Sequence, residues 1–233
     1  MSERRKTSQN IRKLTALAVF AALAYVIHFV HIPVSFLNLD FKDVIMTVAG
    51  MYFGPISGVA VAILVPLLEF PTSETGVYGL IMNLISSVTF VGVASLIYKF
   101  KRTMTGAIVG LSAAVLSMVA AMMMANLFVT PFYMGVSQAA VIDLIPTLLL
   151  PFNAVKAVLN AALTLCLYKP MTSLLKKAGV TKASAPMTEA EQTQTKSNVR
   201  SILVFVIGGI VAAVSLVIIF LVLDGRIEFG IKF

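Results

Sequence analysis

The sequence predicts an all-α integral membrane protein, a bundle of six transmembrane helices with one further transmembrane helix appended at the C-terminus. Three features of the 233 residues lead there. Hydrophobic residues make up 59% and charged residues only 12%, where a soluble domain has about 45–50% and about 25%. The apolar residues fall in runs close to the roughly 20 residues a helix needs to cross a bilayer core of about 30 Å. The basic residues gather in three clusters between those runs. This composition excludes a soluble globular enzyme and a disordered chain.

Residues 14–30 form the first run. Its basic flank fits a secretory signal, but the run is too long and no small-residue cleavage site follows, so it reads as a retained helix. Residues 44–70 are apolar but broken at Gly54-Pro55, a tight-turn signal that predicts two antiparallel helices of about 13 residues each. These are short for full spans and are expected to tilt, to extend into their flanks, or to be capped by a loop dipping into the membrane. Residues 77–98 and 106–130 are full spans. Residues 136–150 are interrupted by Asp143 and Pro146 and read as a loop with a short helix, buried against protein. Residues 151–175 are the sixth span, and Pro151 suits a first helical turn. A stretch rich in Thr, Ala, Gln, Glu and Ser follows, without apolar periodicity, as expected of a linker. The predicted organisation is a six-helix membrane domain over 1–178, a polar cytoplasmic linker over 179–200, and an additional C-terminal transmembrane helix (202–223) with a short tail over 201–233.

Charge placement sets the orientation. Arg4, Arg5, Lys6, Arg12 and Lys13 precede the first run. Lys99, Lys101 and Arg102 separate the fourth and fifth, and Lys169, Lys176, Lys177, Lys182, Lys196 and Arg200 surround the linker. With seven helices all three clusters fall on one side, which the positive-inside rule makes cytoplasmic. The N-terminus is then cytoplasmic and the C-terminus outside. The outer loops carry Asp40, Asp43, Glu74 and Asp143, with Lys42 the only base near them. The net charge of +8 is thus a topology signal and not a nucleic-acid footprint.

Ionisable and amide side chains inside transmembrane segments are costly and point to a site. Asn153, Lys156, Asn160 and Thr164 sit at i, i+3, i+7 and i+11, which puts them on one helical face. The competing reading is a lysine snorkelling to the outer interface, with asparagines bonding neighbouring helices. Asn126, near the outer end of the fifth span, and Asn83, followed by Ser86, Ser87 and Thr89, are each ligand contacts or interhelical glue. The convergence of Asn126, Asn153 and Lys156 in the outer half favours a pocket opening outward. Two outer loops stand at its mouth. Residues 36–43, containing Phe36, Asn38, Leu39, Asp40 and Phe41, alternate apolar and polar residues. Residues 71–76 are compact and polar and include Thr75. Asp40 and Asp43 are alternatively caps of the second helix.

Other features carry less. His28 and His31 lie at i, i+3 without a third ligand type nearby, so no metal site is expected. Met122, Met123 and Met124 read as lipid-facing or core residues, and Cys166, the one cysteine, as a small apolar residue. Glu69, at an outer helix end, is expected at the water interface. Gly208-Gly209 permits close helix contact. Ala18 and Ala22 form a small-xxx-small pair that lets another helix approach, in its own bundle or in a partner. There is no phosphate-cradling G-x-x-x-x-G-K-[ST] or G-x-G-x-x-G motif, and no serine–histidine or zinc motif. The chain has a plausible binding pocket without an evident engine or catalyst.

The run Phe36-Leu37-Asn38-Leu39-Asp40-Phe41-Lys42-Asp43, then Phe53-Gly54-Pro55 and Gly58, resembles the start of the riboflavin-specific S component of energy-coupling factor (ECF) transporters. So does Thr72-Ser73-Glu74-Thr75-Gly76-Val77-Tyr78-Gly79 followed by Asn83. Asn153-Ala154-Val155-Lys156 resembles that family's Asn-x-x-Lys pattern. The likeness runs in order over residues 10–178. It implies a six-helix S-component bundle in a prokaryotic cell membrane, with riboflavin as the transported ligand and no cofactor. It implies partners too: a transmembrane coupling protein, contacted by Ala18 and Ala22 of the first helix, and two cytoplasmic ABC-type ATPases. The appended helix departs from the family, which usually ends after six.

The chemistry fits independently. The flavin ring presents an imide edge of acceptor, donor and acceptor, and an asparagine amide offers both complements. Lysine offers donors to ring carbonyls or ribityl hydroxyls. Phe36, Phe41 and Tyr78 are candidate apolar walls. The expected substrate contacts are Asn126, Asn153 and Lys156 on polar edges, with Asn83, Asp40, Thr75, Leu39, Phe41, Tyr78 and Asn38 around the mouth. The rival readings are an S component for another small vitamin or nucleobase-like compound, a membrane-embedded enzyme, and a structural membrane partner.

Overall fold

The computed structural model describes residues 3–73 and 75–177. The expected linker and the appended helix lie outside these described residues. Helix α1 (Glu3–His28) leads into strands β1 (His31–Val34) and β2 (Leu37–Asp40). Then come α2 (Lys42–Phe53), α3 (Pro55–Glu69), α4 (Gly76–Phe100) and α5 (Met104–Met134). A short α6 (Gln138–Leu144) passes through one π-helical turn, Ile145–Leu149, into α7 (Leu150–Lys177). Five stretches among the described residues are long and apolar enough to cross a membrane: Asn10–His28, Pro55–Thr72, Gly76–Phe100, Met104–Met134 and Gln138–Tyr168. Helix α2 has 12 residues and rises about 18 Å, short of the roughly 30 Å core. It is short for a full span, as its sequence predicts, whereas α3 extends through its following turn to the length of one.

The break between α2 and α3 has a local cause. Gly54 takes φ 98°, a region open to glycine and strained for other residues. Its amide still donates to the Gly50 carbonyl at 2.9 Å, and Pro55 opens α3 where a missing amide costs nothing. The two helices then fold back closely. A Cβ on Gly58 would run into the Gly50 backbone and the Val91 side chain.

Two expectations are corrected. The chain is mostly helical and not all-α, because residues 31–40 form an antiparallel hairpin pairing His31 with Asp40 and Val34 with Leu37. The apolar–polar alternation read as a loop is the period-two pattern of a strand. Its two-residue turn places Ser35 at φ 56°, the left-handed conformation that hairpin turns favour. Residues 136–150 are not a buried loop. Ser137 caps α6 by accepting from the Ala140 amide at 3.4 Å, and the helix continues. Pro146 has no amide proton, so the ladder closes over a wider turn there, with the Leu150 amide donating to the Ile145 carbonyl. Of this segment Val141, Leu148 and Leu149 are buried, while most of the remainder is exposed.

Three apolar clusters hold the bundle. One joins α1, α2, α3 and α4 through Phe20, Ala24, Met46, Ala49, Val65 and Val91. A second joins α2, α4, α5 and α7 through Met51, Phe90, Leu111, Met118 and Ala157. The third seats the hairpin on the first turns of α7, with Val34 and Leu39 against Leu148, Phe152, Val155 and Leu159. Thus Asp40, at the end of β2, is brought to the face of α7. Gly58→Val should overpack the α2–α3 contact and cost about 2 kcal/mol of stability. Thermal melting of the purified protein in detergent would show it as a lowered midpoint.

Candidate ligand-binding site

The polar stripe of α7 faces inward. Asn153, Lys156, Asn160 and Thr164 are all buried. Lys156 does not snorkel, because its counter-ion is inside: Nζ donates to Asp40 Oδ2 at 3.0 Å. Neither aspartate caps α2. The residue before that helix is Phe41, and no side chain caps its first turn. Asp43 instead accepts from the Ser87 hydroxyl at 2.6 Å, which ties α2 to α4.

A second lysine continues the chain of charge. Lys42 is 0% exposed. Its ammonium lies 3.7 Å from Asp40 Oδ2 and donates to Glu69 Oε2. His28 Nδ1 lies 3.5 Å from Glu69 Oε1, a charge-range contact too long for a good hydrogen bond. Glu69, expected at the water interface, is buried. A lone carboxylate there would be costly, and Lys42 makes the burial tolerable. Among the described residues several buried polar atoms have no hydrogen-bond partner: Asp40 Oδ1, Asp43 Oδ2, Glu69 Oε1, Ser86 Oγ and both amide atoms of Asn160. Such atoms are few in folded proteins, and here they cluster mainly around the charged chain.

Burial pushes the Asp40 carboxyl up, but the Lys156 and then the Lys42 ammonium outweigh it and hold it down at about 2. Its stabilising contribution is therefore complete above the ordinary carboxylate value and is lost only as pH falls through about 2.

The remaining expected residues divide into groups. Asn153 donates to the Leu149 carbonyl at 2.8 Å. Asn126 is buried and locked within α5, donating to the Met122 carbonyl at 2.7 Å and accepting from Thr130 at 2.8 Å. Leu39 is buried beneath the hairpin, and Phe41 packs on the same cluster. Asn83 is half-buried on α4, one turn before Ser86 and Ser87. Thr75 and Ser73 share a hydroxyl hydrogen bond of 3.1 Å. Tyr78 and Phe36 both meet Tyr133, at ring-centroid separations of 6.1 and 6.2 Å. Asn38 is exposed on the hairpin and does not join the buried group. Ala18 and Ala22 are exposed on α1, whereas Ala21 and Ala24 pack into the bundle. Among the described residues the small pair thus lies off the packed face of α1.

Sequence reasoning missed Lys42, Asp43, Glu69, Ser87 and Tyr133 as members of this region. A charge count held the signal. In the outer half Asp40, Asp43 and Glu69 need cations, and Lys42 and Lys156 are the two bases the sequence offers.

A bundle of apolar helices that encloses a lysine–carboxylate chain beneath a hairpin defines an integral membrane protein built around a buried polar site. The particular family follows from comparison: the profile for the substrate-specific component of ECF transporters matches residues 12–168, and the chain belongs to that family. It is 31% identical over 188 residues to the riboflavin transporter RibU of Staphylococcus aureus (strain TCH60), covering 76% of this chain and 100% of that one. It is 25% identical over 162 residues to the riboflavin transporter FmnP of Bacillus subtilis (strain 168), covering 64% and 85%. A solved structure described as the S component of a bacterial ECF transporter superposes with a TM-score of 0.63 at 29% identity, covering 72% of this chain and 99% of that one.

Asp40→Asn should leave Lys156 and Lys42 short of a counter-charge and cost about 3 kcal/mol, whereas Asp40→Asn with Lys156→Met should recover part of that loss. Thermal melts of the two variants at one neutral pH test this.

Proposed function

We propose that this chain captures riboflavin at the outer face of a prokaryotic cell membrane and mediates its uptake as the substrate-specific subunit of an ATP-driven ECF transporter. The observation that carries this reading is the buried stripe of α7, where Asn153 and Lys156 lie under the hairpin in a chain whose relatives are named riboflavin transporters. Lys156 has three ammonium donors. Asp40 takes one, which leaves two for flavin carbonyls or ribityl hydroxyls. Asn153 gives one amide hydrogen to its own helix, so its other amide hydrogen and its carbonyl oxygen are left, the oxygen to accept from the ring imide N–H. Asn126 is pre-oriented by its two bonds and keeps one amide hydrogen for the ligand. Riboflavin has no phosphate, so no arginine cluster is required. Leu39, Phe41 and Tyr78 supply apolar walls, and Asn83, Thr75, Asp40 and Asn38 surround the mouth.

In this reading the N-terminus is cytoplasmic and the C-terminus outside, with three basic clusters facing the cytoplasm. The chain is not an enzyme and carries no cofactor. ATP is hydrolysed by two cytoplasmic ABC-type partners, joined through a transmembrane coupling protein. The exposed Ala18 and Ala22 offer that protein a face with small side chains, on which helices approach closely.

Purified protein should quench riboflavin fluorescence stoichiometrically. Asn153→Ala and Lys156→Ala should each weaken binding by about tenfold or more, the loss expected when a buried polar contact goes unmade. No quenching by the folded wild-type protein would defeat the riboflavin reading. A screen of other vitamins would then test the rival S-component assignment. Ala18→Leu with Ala22→Leu should leave riboflavin binding unchanged while abolishing uptake by cells. Full uptake by that variant would remove α1 as the docking face.

A further inference from the structure

We infer that Lys42 and Glu69 are positioning residues for ligand binding: through Asp40 they fix the ammonium of Lys156. This rests on the reading of Lys156 as a ligand contact. The geometry is a line of alternating charge across four elements. Lys156 on α7 donates to Asp40 Oδ2 at 3.0 Å, Lys42 on α2 stands 3.7 Å from the same oxygen, and Glu69 on α3 accepts from Lys42.

Asp40 is held by one oxygen only, because Oδ1 has no partner. A carboxylate bound to one cation through one oxygen can swing about that contact. A second cation from another helix removes the freedom. Lys42 is buried, so water offers it no alternative, and Glu69 decides where its ammonium rests. Without Glu69, Lys42 would move onto Asp40 and compete with Lys156 for Oδ2. Without Lys42, Asp40 would follow Lys156 wherever the ligand drew it.

The groups facing Asp40 are Lys156 from α7, Lys42 and Asp43 from α2, and His28 from α1, with Glu69 of α3 beyond Lys42. Two ammonium groups keep the Asp40 carboxyl low. Removing Lys42 therefore raises its folded value, and the acid edge of ligand binding should move to higher pH. A pair that served the fold without acting on Asp40 would not shift that edge.

The test is riboflavin fluorescence quenching by the purified full-length chain as a function of pH. The main variant is Lys42→Met/Glu69→Gln, which removes one charge of each sign and strands neither. It should melt near the wild-type temperature, bind about tenfold or more weakly, and lose binding at higher pH than wild type. Lys42→Arg, which keeps the cation, should restore most of the affinity. Should the double variant fail to fold, Glu69→Gln alone keeps the bulk; it should weaken binding about fivefold and leave the acid edge no higher than in wild type, because Lys42 then rests on Asp40. Wild-type affinity and pH profile in a folded variant would overturn the inference while leaving riboflavin binding intact. In the double variant a loss of affinity with an unmoved acid edge would overturn it equally, because the pair would then serve the fold without acting on Asp40. Failure of the wild-type chain itself to bind riboflavin is seen before any variant is made; it removes the functional reading and takes this inference down with it.

Discussion

A lysine buried in an apolar bundle has to keep a carboxylate beside it. Taking an isolated ammonium out of water costs several kcal/mol even after relaxation. Two such lysines stand here, and two carboxylates share them. Asp40 lies between Lys156 and Lys42, Glu69 meets Lys42, and Asp43 leans on the Ser87 hydroxyl. Apolar packing tolerates sliding by a fraction of a turn, whereas an ion pair at 3.0 Å does not. The ionic chain therefore sets the register of the hairpin, α2, α3 and α7 relative to one another.

That constraint explains the least regular parts of the fold. For Asp40 to reach Lys156, the connection after α1 has to run back over the first turns of α7. A hairpin does this while pairing its own backbone groups, which an irregular loop at membrane depth would leave exposed. Because β2 ends at Asp40, α2 starts at Lys42, already below the hairpin. Its 12 residues then cover only the remaining depth before the chain turns at Gly54. The close crossing at Gly50 and Gly58 lets α3 return beside it and deliver Glu69 to Lys42.

The long spans were legible in the sequence because hydropathy and length depend on the residues of one segment alone. The turn at Gly54-Pro55 was legible for the same reason, and so was the stripe of Asn153, Lys156, Asn160 and Thr164, where spacing alone defines a face. The hairpin was written as alternation between residues 36 and 40, but alternation over so few residues also fits a loop, and the expectation went that way. Glu69 was misplaced because its burial depends on Lys42, 27 residues earlier. No local pattern announces such a pair. The inward count of charges does, once the chain is read as a bundle whose acids and bases have to meet.

The same charges bear on what a loaded site can be. Asp40 already neutralises Lys156, so the lysine presents donors without an uncompensated charge. A neutral, hydrogen-bonding solute can replace water on those donors and add no net charge to the membrane interior. An anionic solute would bring a charge for which Lys156 and Lys42 are already engaged, and it would have to displace Asp40 to be paired. Displacing Asp40 would release the hairpin and leave Lys42 to Glu69 alone. If Lys156 is a ligand contact as proposed, the arrangement would discriminate by charge before shape, through the carboxylate that also ties the hairpin to α7. On the proposed reading recognition and folding would share one interaction, the Asp40 carboxylate held between Lys156 and Lys42.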